Sequence, residues 1–227
     1  MRKYIIVFLV VFLSIRPLNA QTILITEVLN PDSVLMAILD TIRIDDQFDR
    51  NRISEVENKY GKKSPEMRDL WRTIHVKDSI NLLKVKEILD TRGWVGSGII
   101  GAERSMTLFF VIQHSDLETQ EYYYPILKDA VENQRADAWQ LAFLKDRIEM
   151  RNGRLQIYGT QFTINPNTGE QYLYPLIDPD EVDVRRENVG LEPIAKHYKF
   201  NMGQEWSLDK YKENLPRYLE FETMKRK

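Results

Sequence analysis

Apolar residues recur at helical spacing through the first two thirds of the chain, and the period shortens to two only once. Between Asp32 and Tyr60, Leu35, Leu39, Ile42, Asp46 and Ile53 fall on one stripe. The pattern predicts one long helix, begun by Asp32 or Ser33 and ended by Gly61. A second helix is expected from a Ser64 cap, with Pro65 in the first turn, to a stop at Gly93; its stripe is Ile74, Asp78, Asn81, Val85 and Ile88. The short join between them predicts an antiparallel helix pair. "GWVGSGIIG" (93–101) lacks the Lys-Ser/Thr pair and the spacing of phosphate-binding loops, and reads as a structural turn. From Ala102 to His114 apolar side chains cover every side, the mark of a helix buried all round. Asp116 is expected to cap a fourth helix that ends near Asn133, with Pro125 as a kink or as its true start. A fifth helix is expected from Asp137 to Arg151, stopped by Gly153.

The period of two appears in "LQIYGTQFTI", with Tyr158, Thr160, Phe162 and Ile164 on one side and Ile157, Gly159, Gln161 and Thr163 on the other. "NPNTGE" is a turn cluster and "QYLYPL" the returning strand, so a small β-hairpin near 155–175 is expected beside a helical body. "DPDEVDVRRENVGL" predicts a short capped helix. Residues 192–227 are polar, aromatic and charged without strong periodicity, and are expected to wrap the surface or remain only partly ordered. The fold class is mainly α: residues 33–191 as one helical domain with a β-hairpin, and residues 192–227 as a tail.

Residues 1–20 stand apart. Arg2 and Lys3 precede an apolar run from Tyr4 to Ile15, and "LNA" ends in the small residue Ala20, which predicts a secretory signal peptide cleaved after Ala20 and a linker over 21–32. The run is short for a bilayer span, so no membrane span is expected in the mature chain. The chain has no cysteine and therefore no disulfide or lipid-attachment thiol, which fits a bacterial periplasm or exterior. The net charge of −2 becomes −5 once Arg2, Lys3 and Arg16 are removed, and that balance argues against nucleic acid as a partner.

Polar groups interrupt the oily faces. Asp46 and Asp78 sit on the stripes of the first two helices, His114 lies one turn beyond Phe110, and Arg147 one turn beyond Phe143. Buried charges must be paired, so Asp46, Asp78, Asn81, Gln113, His114, Asp116 and Arg147 are expected to meet in one internal or cleft-lining network. Each has a plain reading as well: Asp116 as a cap, His114 as a satisfied core histidine, Asp46 or Asp78 as a structural partner of Arg147. Tyr158 and Gln161 on the hairpin and Arg185 in the following helix are further ligand-binding candidates, although Arg185 and Arg186 read most simply as a solvated pair. With only His75, His114 and His197, no cysteine and no "HExxH", neither a metal site nor a cofactor is called for. "GxSxG" is absent, which removes that route to a serine nucleophile.

The ordered set "DDQ" (45–47), Asp78 with Asn81, "RGW" (92–94), "IQHSD" (112–116), "KDR" (145–147), "YGTQF" (158–162) and "DVRRENVGL" (183–191) resembles an uncharacterised bacterial family described only as a domain of unknown function, over roughly Ile38 to Leu191. Val95 stands where that family often has proline after Gly-Trp, and Ser115 where it often has alanine. The resemblance implies a mainly helical fold and no particular chemistry. Three functional readings are carried forward. The first is an exported module whose cleft binds a small molecule or a protein. The second is a hydrolase with His114 as general base oriented by Asp116 or Asp78. The third is a domain whose polar network is only structural.

Overall fold

The computed structural model describes residues 31–165 and 167–225, so the expected signal peptide and its cleavage point lie outside the described residues. Pro31–Arg50 forms α1 and Ile53–Tyr60 forms α2. The single helix expected from Asp32 to Tyr60 is therefore broken at Asn51 and Arg52. The Arg52 N–H bonds the carbonyl of Asp49, three residues back, and tightens the turn. Redirected there, α2 brings Val56 and Ile53 onto Met67, Leu70 and Ile74 in a small cluster of its own. The helix begins one residue earlier than expected, which puts Asp32 in its first turn rather than at its cap.

Helix α3 spans Pro65–Arg92 with the expected start and stop: the Ser64 hydroxyl accepts from the Met67 N–H at 3.1 Å, and Gly93 ends the helix. Arg92 bonds Asp32 at one end of the α1–α3 pair and Arg50 bonds Asp78 at the other, so the two run antiparallel. A single turn, α4 (Ser97–Ile100), leads into α5 (Ala102–His114), which packs against α1 and α3 on one side and α6 and α7 on the other. Leu108, Phe109, Val111 and Ile112 are buried in the main core it forms with Leu39, Val85, Leu127 and Leu144. Helix α6 (Leu117–Glu132) continues through Pro125, which is therefore not its start, and is capped by Asp116, whose carboxylate accepts from the Thr119 N–H at 2.8 Å. Helix α7 (Ala138–Arg151) starts from a capping box of Asp137 and Gln140.

The hairpin is shorter than its period suggests. Strands β1 (Phe162–Ile164) and β2 (Gln171–Leu173) pair antiparallel, Thr163 opposite Tyr172. Residues 157–160 do not extend β1. They wrap around the fully buried Asp146 of α7, which accepts from the N–H groups of Ile157, Tyr158 and Thr160 at 2.7–3.0 Å and from the Thr160 hydroxyl at 3.0 Å. Those donors are spent on a carboxylate instead of a sheet ladder. Gly159 sits in this loop at a φ of +69°, and a Cβ there would meet Ile194 Cδ1 at 2.6 Å, so both conformation and space require glycine.

A 3₁₀ turn (Pro179–Glu181) precedes α8 (Val182–Glu187). Arg185 and Arg186, expected as a solvated pair, both turn inward onto main-chain carbonyls. Arg185 donates to Ile157, Ile177 and Asp178, and Arg186, only 1% exposed, donates to Tyr158 and Glu192. The segment after residue 192, expected as a poorly periodic tail, forms α9 (Ile194–Met202) and α10 (Leu208–Lys225). Ile194 and Tyr211 complete a second core with Leu173, Leu176 and Val182. The Tyr211 hydroxyl accepts from the Leu176 N–H, and Tyr172 donates to Glu222. Much of this burial is aromatic, which a test for aliphatic periodicity does not register.

Candidate functional site

A cleft of about 250 Å³ opens where the end of α5 meets α1 and α3. Asp46 enters it from α1, one turn after Ile42. His75, Asp78 and Ser79 enter from α3, one turn after Trp71 and Ile74. His114, Ser115 and Asp116 come from the α5–α6 junction, and Leu82 and Val111 supply the apolar part of the wall. Helical spacing thus carries Asp46 and Asp78 along faces whose neighbouring turns are core, whereas His75 follows the exposed Trp71.

Beside the cleft Arg50 ties two of its carboxylates together. Its Nη2 donates to Asp78 Oδ1 at 2.6 Å and its Nε to Asp46 Oδ1 at 3.4 Å, while Gln47 Nε2 donates to Asp46 Oδ2 at 2.6 Å. His114 Nδ1 lies 3.8 Å from Asp46 Oδ1, beyond hydrogen-bonding distance but close enough for charge to be felt. Burial favours the neutral form of Asp46, yet His114, Arg50 and Gln47 outweigh it and hold the carboxyl below its ordinary range. The Asp116 carboxyl is also held low, chiefly by the Thr119 N–H it caps. The His114 ring stacks on Phe110 at 6.2 Å and its side chain is 28% exposed, whereas Asp46 is only 5% exposed. The hydroxyls of Ser79 and Ser115 are occupied by the carbonyls of His75 and Ile112, so neither is aligned with His114 as a nucleophile.

Of the seven residues expected to form one network, Asp46, Asp78, His114 and Asp116 share the cleft. Asn81 is buried beside it, with neither its amide nitrogen nor its oxygen bonded. Gln113 points away and donates to the Phe143 carbonyl at 3.4 Å. Arg147 pairs with neither Asp46 nor Asp78; Arg50 takes that place, and the expected structural bridge is corrected accordingly. Arg50 was missed from the sequence; its one signal was a place four residues after Asp46, the spacing at which helical side chains meet, and nothing in it pointed to Asp78. His75 and Ser79 had no such signal, because neither interrupts an apolar stripe. The nearest carboxylate to His114 is Asp46, while Asp78 is engaged by Arg50 and Asp116 by its own helix. Tyr158, Gln161 and Arg185 are engaged at the Asp146 loop instead: the Tyr158 N–H with Asp146, Gln161 Nε2 with Thr160 Oγ1, and Arg185 with Ile157 as well as Ile177 and Asp178. Among the described residues no group of three or more His, Asp or Glu is arranged to hold a metal ion.

The profile described as "Family of unknown function (DUF6624)" matches residues 34–205, a span that contains every cleft residue and the Asp146 loop. No curated protein and no solved structure matches the chain.

Proposed function

The chain belongs to the family of unknown function DUF6624, and from the cleft itself we propose that it is an exported protein that binds a small polar molecule between α1, α3 and α5. The observation that carries this reading is His114. Its Nδ1 is buried without a bonded partner beside the Asp46 carboxylate, while part of the ring stays open to the cleft. A histidine kept only for packing would be expected to bond through its buried nitrogen. Around it, Asp46, Asp78 and Asp116 offer acceptors and Leu82 and Val111 offer apolar contact, a lining suited to a ligand that presents hydrogen-bond donors. Export rests on the composition of residues 1–20.

A second reading is favoured by the same pair. Asp46 is the carboxylate beside one ring nitrogen of His114, which leaves the other nitrogen as the one placed to act as a base. On this reading the cleft hydrolyses its ligand with water as nucleophile, and Asp46 rather than Asp78 or Asp116 is the orienting group.

Melting temperatures of the wild type and His114→Gln, measured across a metabolite library, test the binding reading. A compound that stabilises the wild type and has little effect on the variant is the expected outcome. No shift with any compound, or equal shifts in both proteins, removes the cleft as the binding site. Turnover of the stabilising compound by the wild type alone would select the hydrolytic reading.

A further inference from the structure

Arg147 is a cation without an anion. It lies on α7 between Phe143, whose carbonyl accepts from Gln113 of α5, and Arg151, which donates to the Ser115 carbonyl at the cleft. Those two contacts, one helical turn to either side, hold the stretch of α7 that carries Arg147 near the end of α5, next to the cleft although Arg147 is not among the residues that line it. Its Nε is sealed from solvent, and among the described residues it makes no hydrogen bond and no ion pair, yet the residue as a whole retains some exposure. The charges that act on it come from Arg151 and Arg50, both cationic, and burial together with these two lowers its proton affinity to about 10. Arg50 is itself matched by Asp46 and Asp78. A mostly buried guanidinium left in this condition is unfavourable, and its planar fork is suited to carboxylate and phosphate oxygens.

We propose that Arg147 is the anion-holding end of the ligand site, taking a carboxylate or phosphate oxygen of the bound molecule. This deepens the reading of the cleft and rests on it for the rest of the ligand: an oxyanion at Arg147, hydrogen-bond donors toward Asp46 and Asp78. The three carboxylates do not cancel the attraction, because Asp46 and Asp78 are tied to Arg50 and Asp116 accepts from the first turn of α6.

Inorganic phosphate and acetate are the probes, compared with chloride at matched ionic strength on the full chain, reading melting temperature and apparent affinity. Phosphate, acetate or both should stabilise the wild type. Arg147→Met should melt in chloride no lower than the wild type, since an unpaired buried charge is replaced by an apolar chain of similar length. Its apparent oxyanion affinity should fall by about tenfold or more, as loss of a charge-assisted hydrogen bond implies. Should the methionine variant fail to fold, Arg147→Lys carries the test, with a weakened response expected and an unchanged one overturning the proposal. Equal responses in the wild type and Arg147→Met, or no response to either anion, also overturn it. His114→Gln separates the two readings. A library compound that still distinguishes wild type from His114→Gln while neither anion binds leaves the cleft standing and removes its anionic end. An oxyanion response lost in Arg147→Met, with no library compound distinguishing wild type from His114→Gln, leaves the anion site standing and removes the cleft.

Discussion

His197 shows how one side chain can report on a seam. It sits on α9 with its ring edge-on to Phe143 of the main core at 5.9 Å and tilted against Phe162 of the hairpin at 5.5 Å, its Nε2 3.4 Å from the Thr160 carbonyl. Burial, and after it the Arg186 charge, lowers its proton affinity below the ordinary histidine range, against smaller opposing effects of the Thr160 carbonyl and Glu192. A folded-state value below the unfolded one means that the unfolded chain binds the extra proton. The stability is therefore present above the ordinary histidine range and is lost as pH falls through the lowered folded value. Melting of the wild type should weaken across that window, and His197→Phe, which keeps the aromatic packing, should flatten the dependence. Parallel curves for the two proteins would remove His197 as the cause. The sequence named this histidine only as one of three, because a ring buried between two segments distant in sequence leaves no local pattern. Asp46, by contrast, was legible as a charge on an apolar stripe, and the cleft is where the structure puts it.

Among the elements, α3 was the most readable, since its end signals are chemical rather than periodic. Ser64 accepts the Met67 N–H and Pro65 needs no donor, so the start is fixed by local chemistry alone. Ser64→Ala should cost about 1 kcal/mol, the usual worth of such a cap. Denaturant melts would check this, and a midpoint unchanged from the wild type would show that the first turn is held by packing of Met67 and Leu70 instead. The break at Arg52 and the curtailed β1 were not readable. Nothing in residues 51–52 forbids a helix; the turn there lets α2 cover Met67 and Ile74. Nothing in "YGTQF" forbids a strand either, and it is Asp146, eleven or more residues earlier, that claims the main-chain donors of 157–160.

For the whole molecule, the mainly α fold and the membership of DUF6624 agree with the reading from residues, and no helix among the described residues is long and apolar enough to cross a membrane. Export is the proposal that belongs to this scale. The protein recovered outside the cytoplasm of a bacterial host should begin at Gln21, as the mass of the intact chain would show; a chain retaining Met1 in the cytoplasm would remove it. Besides the small α2–α3 cluster, two cores divide the described chain: a main one around α5, and a smaller one, rimmed by aromatic rings, that α9 and α10 close over β2 and α8. By itself the sequence determined the helical class, most helix ends and the inward heading of Asp46, Asp78 and His114, because capping residues and the 3.6-residue period act within a few residues of themselves. Only the tertiary structure decided that Arg50 and not Arg147 holds the carboxylates, that Arg185 and Arg186 serve main-chain carbonyls, and that the last segment folds onto the hairpin. Those outcomes depend on which distant groups arrive within hydrogen-bonding reach, and the spacing of residues along a chain does not encode the angle at which two helices meet.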